Sequence, residues 1–324
     1  MNQQERNNSW HMKRVGLVIL LTVGFVVHAF GGVNNETHLK DGTIIIEDKP
    51  GYYIPYGHTL LTDKFPAALK RMDSLWKVTN DIDYYSDYGL IFILEGKYEE
   101  AKNIYLEIEK IKPGRYETAS NLGTVYELLG DNKKALKWVK KAIAIYPESH
   151  MDSEWLHVKI LEAKIKGSDQ FITSDFLLNH NFGRATIPTR NLTQSQLLHL
   201  KNALFFQLNE RVTFIKPRDK IMAQLLFDMG NVLALSSSPY EATVLYEQAK
   251  TYGCVDPLLE VRLNYFKQLK VDTDTTVNTQ TNKALHTPVA ETNHTLLVIV
   301  CVCLFLFPVV SFLVLKGMIN RKDI

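Results

Sequence analysis

The sequence predicts an all-α fold of paired antiparallel helices stacked side by side into a solenoid, with an irregular insertion and one apolar C-terminal helix. Three observations predict it. Between Ile82 and Ser149 one pattern is written twice at a period of 34 residues, Gly89 recurring as Gly123, Gly96 as Gly130, Ala101 as Ala135 and Pro113 as Pro147. A period of that length is the mark of a helix-turn-helix repeat. The same offsets return at 223–256, where Gly230, Ala242, Tyr246 and Ala249 keep the register. Finally, Leu296 to Leu315 carries no charge, and as a helix its twenty residues span about 30 Å, the thickness of a bilayer core.

The repeat spacing has a physical reason. Helices that pack closely need small residues where their backbones cross, and Gly89, Ala101, Gly123, Ala135, Ala142, Gly230, Ala242 and Ala249 supply them. Large side chains flank the crossings, Tyr85, Tyr88, Phe92 and Tyr105 in the first unit and Leu122, Tyr126 and Val139 in the second. Gly96 and Gly130 let the chain turn between helices, and Pro113 and Pro147 end the second helix of each pair. The quoted residues resemble the tetratricopeptide repeat, firmly at 82–115, 116–149 and 223–256. Ile108, where that family has a small residue, and Ala119, where it has a bulky one, imply altered packing between units.

Composition narrows the function. Hydrophobic residues make up 46% of the 324 positions, enough for a sizeable core, and the formal net charge is +2. The basic excess sits at the two ends, which leaves the middle slightly acidic and without the footprint of a nucleic-acid binder. Of three cysteines, Cys301 and Cys303 lie in the apolar run and Cys254 stands alone, so packing rather than disulfides holds the helices.

Taken in order, Met1 to Arg14 is polar and basic and Val15 to Val27 apolar, with small-x-small triplets ending at Ala29 and Gly31. Residues 1–29 therefore read as a secretory signal peptide. Residues 30–62 are irregular, with a short strand expected at Thr43 to Glu47. The helical domain is 63–270. It opens on a helix from Asp63 to about Val78, with Pro66 in its first turn and Ala67, Arg71 and Ser74 where the second helix of a repeat would have them, and residues 58–80 read as a degenerate half-unit capping the array. Asp152 to Lys166 begins a third pair that breaks at Gly167. The insertion 168–193 lacks a helical period, yet Phe171, Phe176, Leu177, Phe182 and Ile187 predict that it packs down. Thr193 to Ile215 is helical, Ser238-Pro-Tyr-Glu241 is a capping box, and 257–269 closes the array with Leu258, Leu259, Val261, Leu263 and Phe266. A linker at 271–294 is long enough to span about 25–30 Å as coil. It leads to the transmembrane helix 296–315 and a basic tail, 316–324, which the positive-inside rule places in the cytosol.

Catalytic and cofactor motifs are not found: there is no phosphate-cradling glycine loop, no metal-binding histidine pair and no Cys-x-x-Cys pair. The reading is a non-enzyme with no cofactor or metal. The family resemblance implies a concave groove lined by the first helix of each unit, which places Ser86, Leu90 and Ile93 together with Glu117, Ser120, Asn121, Thr124 and Glu127 on one surface. The family's lysine-rich carboxylate clamp is not reproduced, because Asp87 and Glu117 are acidic, so a basic or apolar segment is the expected guest. The chain is similar to membrane-anchored bacterial repeat proteins. The expected function is a protein-binding scaffold on the periplasmic side of a cytoplasmic membrane. A second hypothesis makes the helices a support for a catalytic or small-ligand pocket completed by the insertion, with His180 and Asp175 as its chemistry. A third is a eukaryotic type I membrane glycoprotein, which a glycosidase mobility shift would separate; sequons stand at Asn35, Asn191 and Asn293, but such triplets also arise by chance in a chain rich in Asn and Thr.

Overall fold

The computed structural model describes residues 38–47, 53–189, 191–236 and 239–269. The expected signal peptide, the linker, the apolar C-terminal run, Ser238 of the expected capping box and the sequons at Asn35 and Asn293 lie outside the described residues. No described helix is long and apolar enough to cross a membrane.

The described chain is an all-α solenoid preceded by one small hairpin. Strands β1 (Ile46–Glu47) and β2 (Thr59–Leu60) pair antiparallel, Ile46 opposite Leu60, and a bridge joins His38 to Ile44. The helices are α1 (Phe65–Thr79), α2 (Ile82–Leu94), α3 (Tyr98–Ile111), α4 (Tyr116–Leu128), α5 (Asn132–Ile145) and α6 (Glu154–Lys166), followed by α7 (Ser174–Leu178), α8 (Gln194–Phe214), α9 (Lys220–Leu235), α10 (Pro239–Tyr252) and α11 (258–269). From α1 to α6 each packs on the next, as do α8 on α9 and α9 on α10.

The starts and stops follow from local chemistry. Asp81, Asp131 and Asp219 cap α2, α5 and α9 by accepting first-turn backbone N–H groups, and Thr193 with Gln196 forms a capping box at α8. Gly96 and Gly130 adopt φ of 75° and 82° at the turns inside the two repeats, a conformation side chains rarely accept. Gly167, at φ 66°, ends α6 where the repeat pattern breaks.

At the crossings the three glycines do one job. A methyl group built on Gly89 would lie 3.0 Å from the Tyr105 ring, one on Gly123 2.7 Å from Val139, and one on Gly230 2.6 Å from the Tyr246 ring. Each partner stands sixteen residues on from its glycine. Ala101, Ala135, Ala142, Ala242 and Ala249 are all buried.

Two features differ from the sequence expectation. Helix α1 buries Phe65, Ala68 and Met72, whereas Ala67, Arg71 and Ser74 are exposed, so the capping helix is rotated from the register of a true second helix. Its neighbours are the hairpin residues Ile45 and Ile46 rather than a preceding unit, and these meet a different stripe. Ile187 and Val261 are 51% and 45% exposed, while Leu177 and Phe182 alone anchor the insertion deeply among the aromatic and leucine positions expected there. A period argument identifies apolar residues but not which of them face a neighbour arriving from elsewhere in the chain. The insertion also contains the one-turn helix α7, started by Thr173 accepting from the Phe176 N–H.

Candidate functional site

Other segments of the chain pack on the residues expected to line a groove. On the first unit, the backbone N–H of Lys40 donates to Asp87 at 2.7 Å, and the Lys40 ammonium pairs with Asp81 and Asp83. Burial raises the Asp83 carboxyl, but hydrogen bonds from Lys40 and Arg115 outweigh it and hold the group below its usual range. Leu39, Ile45 and Ile46 join Leu90 and Ile93 in one buried cluster, so the 38–47 segment belongs to the same core as these expected groove residues.

On the second unit the covering element is α8. Glu127 accepts from Lys164 at 2.7 Å, His157 Nε2 at 2.7 Å and Arg211 at 3.2 Å, with 8% of its side chain exposed. Glu154 continues the network to His157 and His150, whose Nε2 lies 3.1 Å from the Tyr116 hydroxyl, and Arg211 also bonds Gln207. Burial disfavours the Glu127 charge, but Arg211, His157 and Lys164 hold its carboxyl well below the usual range. Burial and Arg211 press the His157 imidazole down, yet Glu127 and Glu154 prevail and raise it to about 9, so it is cationic at neutrality. A pocket of about 200 Å³ remains open between Thr124, Glu127, Leu128, Lys164, Arg211 and Phe214.

On the third unit the insertion takes the place of the hairpin. The register that aligns Gly89, Gly123 and Gly230 sets Asp228 where Asp87 and Asn121 stand. The Ser174 hydroxyl donates to Asp228 at 2.6 Å and Gln224 donates at 3.1 Å. Burial drives the Asp228 carboxyl up to about 7, against these hydrogen bonds. Arg262 of α11 is 1% exposed and clamps the insertion through the carbonyls of Phe182, Gly183 and Ala185.

The structure thus places the sequence-derived groove residues as follows. Ser86, Leu90, Ile93, Ser120 and Asn121 are buried, the side chain of Glu127 nearly so, and Glu117 and Thr124 are half-buried. Asn121 donates to the Tyr105 hydroxyl, which donates to the Ser86 carbonyl, joining the first two units. His180 and Asp175 line different openings: His180 sits beside Trp155 and His199 in a hollow of about 500 Å³, and Asp175 accepts from Asn181 on another. Sequence reasoning missed His157, Arg211, Asp228 and Arg262. Only the charged residues interrupting apolar helix stripes hinted at them.

These titrations set a pH dependence. His157 and Asp228 both have raised values, so each contributes stability that is complete below its unfolded value, 6.5 and 3.8, and is lost as pH rises through about 9 and about 7. Glu127 and Glu154 are lowered and act oppositely, their contribution present above 4.5 and lost in acid. The melting temperature is therefore expected to peak near pH 4.5, to decline from there to about pH 7 through Asp228, and to decline on toward about pH 9 through His157. Asp228→Asn should flatten the decline below pH 7 in a melting series; an unchanged profile would remove Asp228 from the explanation.

Residues 82–115 and 116–149 match the family model described as tetratricopeptide repeat. Among solved structures, the chain is similar to a tetratricopeptide repeat protein from Parabacteroides merdae, at 13% identity over 63% of this chain and 93% of that one, with a TM-score of 0.31. It is also similar to the TPR2AB domain of yeast Sti1 in a complex with pHSP90, at 15% identity over 67% of this chain and 81% of that one, with a TM-score of 0.29. No curated protein matches the chain. Tetratricopeptide repeats are in general protein–protein interaction modules rather than catalysts.

Proposed function

We propose that this chain is a non-catalytic scaffold, exported and held to a cytoplasmic membrane by the apolar run 296–315, that binds a protein or peptide partner on the concave side of its repeats. The single observation that carries the reading is the tandem of matched helix pairs at 82–149, whose family serves protein recognition. Export and tethering rest on the charge pattern of the sequence, basic before the first apolar run and after the last. Because much of the inner face is lined by the hairpin, α8 and the insertion, the partner enters where that lining opens. The opening beside Thr124, Lys164 and Phe214 offers an apolar wall with acidic and basic groups at hand.

A photo-crosslinking side chain placed at Thr124 in the membrane-embedded full chain should yield a discrete protein adduct. The same group at Val78, exposed on the capping helix, should yield none. Equal labelling from both positions, or none from Thr124, would remove the concave side as the binding surface.

A further inference from the structure

Helix α9 carries one polar stripe in an otherwise apolar surround. Gln224, Asp228 and Asn231 follow at i, i+4 and i+7 and so share a face, whereas Leu225, Leu226, Met229 and Val232 around them are buried. Two polar attachments of the insertion meet that stripe. Ser174 of α7 is bonded to Asp228 at 2.6 Å, and Gln224 donates to both, at 3.2 Å to Ser174 and 3.1 Å to Asp228. Arg262 of α11 reaches Asn231 Oδ1 at 2.7 Å and directs its other donors to the carbonyls of Phe182, Gly183 and Ala185.

Asp228 is 0% exposed and Arg262 1%. Asn231 lies three residues beyond Asp228, about 4.5 Å along the helix axis. The guanidinium therefore stands one turn from the carboxyl, yet its bonds go to a neutral amide and to backbone carbonyls. An opening of about 310 Å³ runs alongside, bounded by Ser174, Gln224, Asn231 and Arg262 among others. It leaves room for the guanidinium to turn and a path for a proton to solvent.

The carboxyl changes charge near neutrality. Burial above all lifts it to about 7, with Asp256 adding to the rise and Ser174, Gln224 and Arg262 opposing it. The Tyr246 hydroxyl of α10 and the Cys254 thiol also lie within its field. As a neutral acid Asp228 makes no demand on Arg262. As a carboxylate it becomes the strongest acceptor at hand, because a charge-assisted bond is about twice as strong as a neutral one, and a buried anion is costly to leave unpaired.

We propose that Asp228 and Arg262 form a proton-operated clasp on the insertion. With Asp228 neutral, Arg262 grips the 182–185 carbonyls and the insertion is closed on α9. With Asp228 ionised, the guanidinium turns to the carboxylate and releases those carbonyls, and the proton leaves through the opening. The clasp goes beyond the partner-binding reading and does not depend on it. The closed form holds the proton more tightly, so closing is favoured in acid and that advantage is lost as pH rises through about 7.

The test is amide hydrogen exchange on the full chain in detergent, each rate divided by the intrinsic chemical rate at the same pH. The reporter is the Thr189 N–H, bonded at 2.9 Å to the Phe182 carbonyl that Arg262 also holds. Exchange over 182–189 should be at least about tenfold faster at about pH 8.5 than at about pH 5.5, while 82–111 stays unchanged. Asp228→Asn, which keeps the shape and cannot ionise, should give slow exchange at both, and Arg262→Gln fast exchange at both. His180→Gln removes another titratable group of the insertion, one that lines a different opening, and should leave the step in place. If a variant of Asp228 or Arg262 fails to fold, the wild-type series with His180→Gln decides alone, since both must show the step. No step in the wild type, a step that survives Asp228→Asn, or one that vanishes in His180→Gln would overturn the proposal.

Discussion

Glu127→Ala is expected to destabilise the helical domain by about 3–5 kcal/mol, a fall in melting temperature of about 10 °C. The reason is asymmetric. Glu127 is a buried anion in contact with Lys164, His157 and Arg211, which reach it from α6 and α8. Removing it leaves the buried Arg211 and His157 without the carboxylate that both contact, and an uncompensated buried charge costs more than the pair contributes. Lys164 is more exposed and can turn to solvent, so its share of the loss is small. Pairing Glu127→Ala with Arg211→Met should recover a substantial part of the loss, because the stranded guanidinium goes too. Additive losses in the double variant would show that the two groups do not interact across α4 and α8. The same change should shift the His157 titration, followed by NMR, downward from about 9, since Glu127 is a main cause that raises it.

Gly230→Ala is the second large effect, expected at about 2–4 kcal/mol. The added methyl meets the Tyr246 ring at 2.6 Å, and that ring is fully buried with its hydroxyl committed to Asn231, so it cannot swing aside. Gly123→Ala meets the Val139 side chain at 2.7 Å and Gly89→Ala the Tyr105 ring at 3.0 Å. The expected order of destabilisation in chemical denaturation is Gly230, then Gly123, then Gly89, with Val139→Ala rescuing the middle member. If the three substitutions were equally harmless, the glycines would not be crossing points and the helix pairs would pack otherwise.

The repeats were legible in the sequence because their constraint is local. A helix crossing tolerates only glycine or alanine at fixed offsets, so the 34-residue echo carries the geometry with it. The covering of the inner face was not legible. Asp87 and Lys40 are 47 residues apart, Glu127 and Arg211 are 84 apart, and Ser174 and Asp228 are 54 apart. No periodicity links such positions, and which segment lands on a face depends on how the whole array turns. The acidic residues Asp87 and Glu117, which predict a basic guest, do meet donors, and the donors belong to the same chain. The rotation of α1 has the same origin: its apolar stripe could be read, whereas the hairpin it faces could not be placed. His180 and Asp175 illustrate the converse, two polar residues close in sequence that the turn at Asn179, φ 52°, directs into different openings.

The most direct test of a self-lined concave face is amide hydrogen exchange on the full chain, resolved to the segment 38–47. The Lys40 N–H is bonded to Asp87 and the Leu39 N–H to the Thr43 carbonyl, so this segment should exchange at least about a hundredfold more slowly than an open loop, and Asp87→Ala should release Lys40 selectively. Exchange of 38–47 at open-loop rates, while 82–145 remains protected, would mean that the hairpin does not occupy the first unit's inner face and that the groove is free.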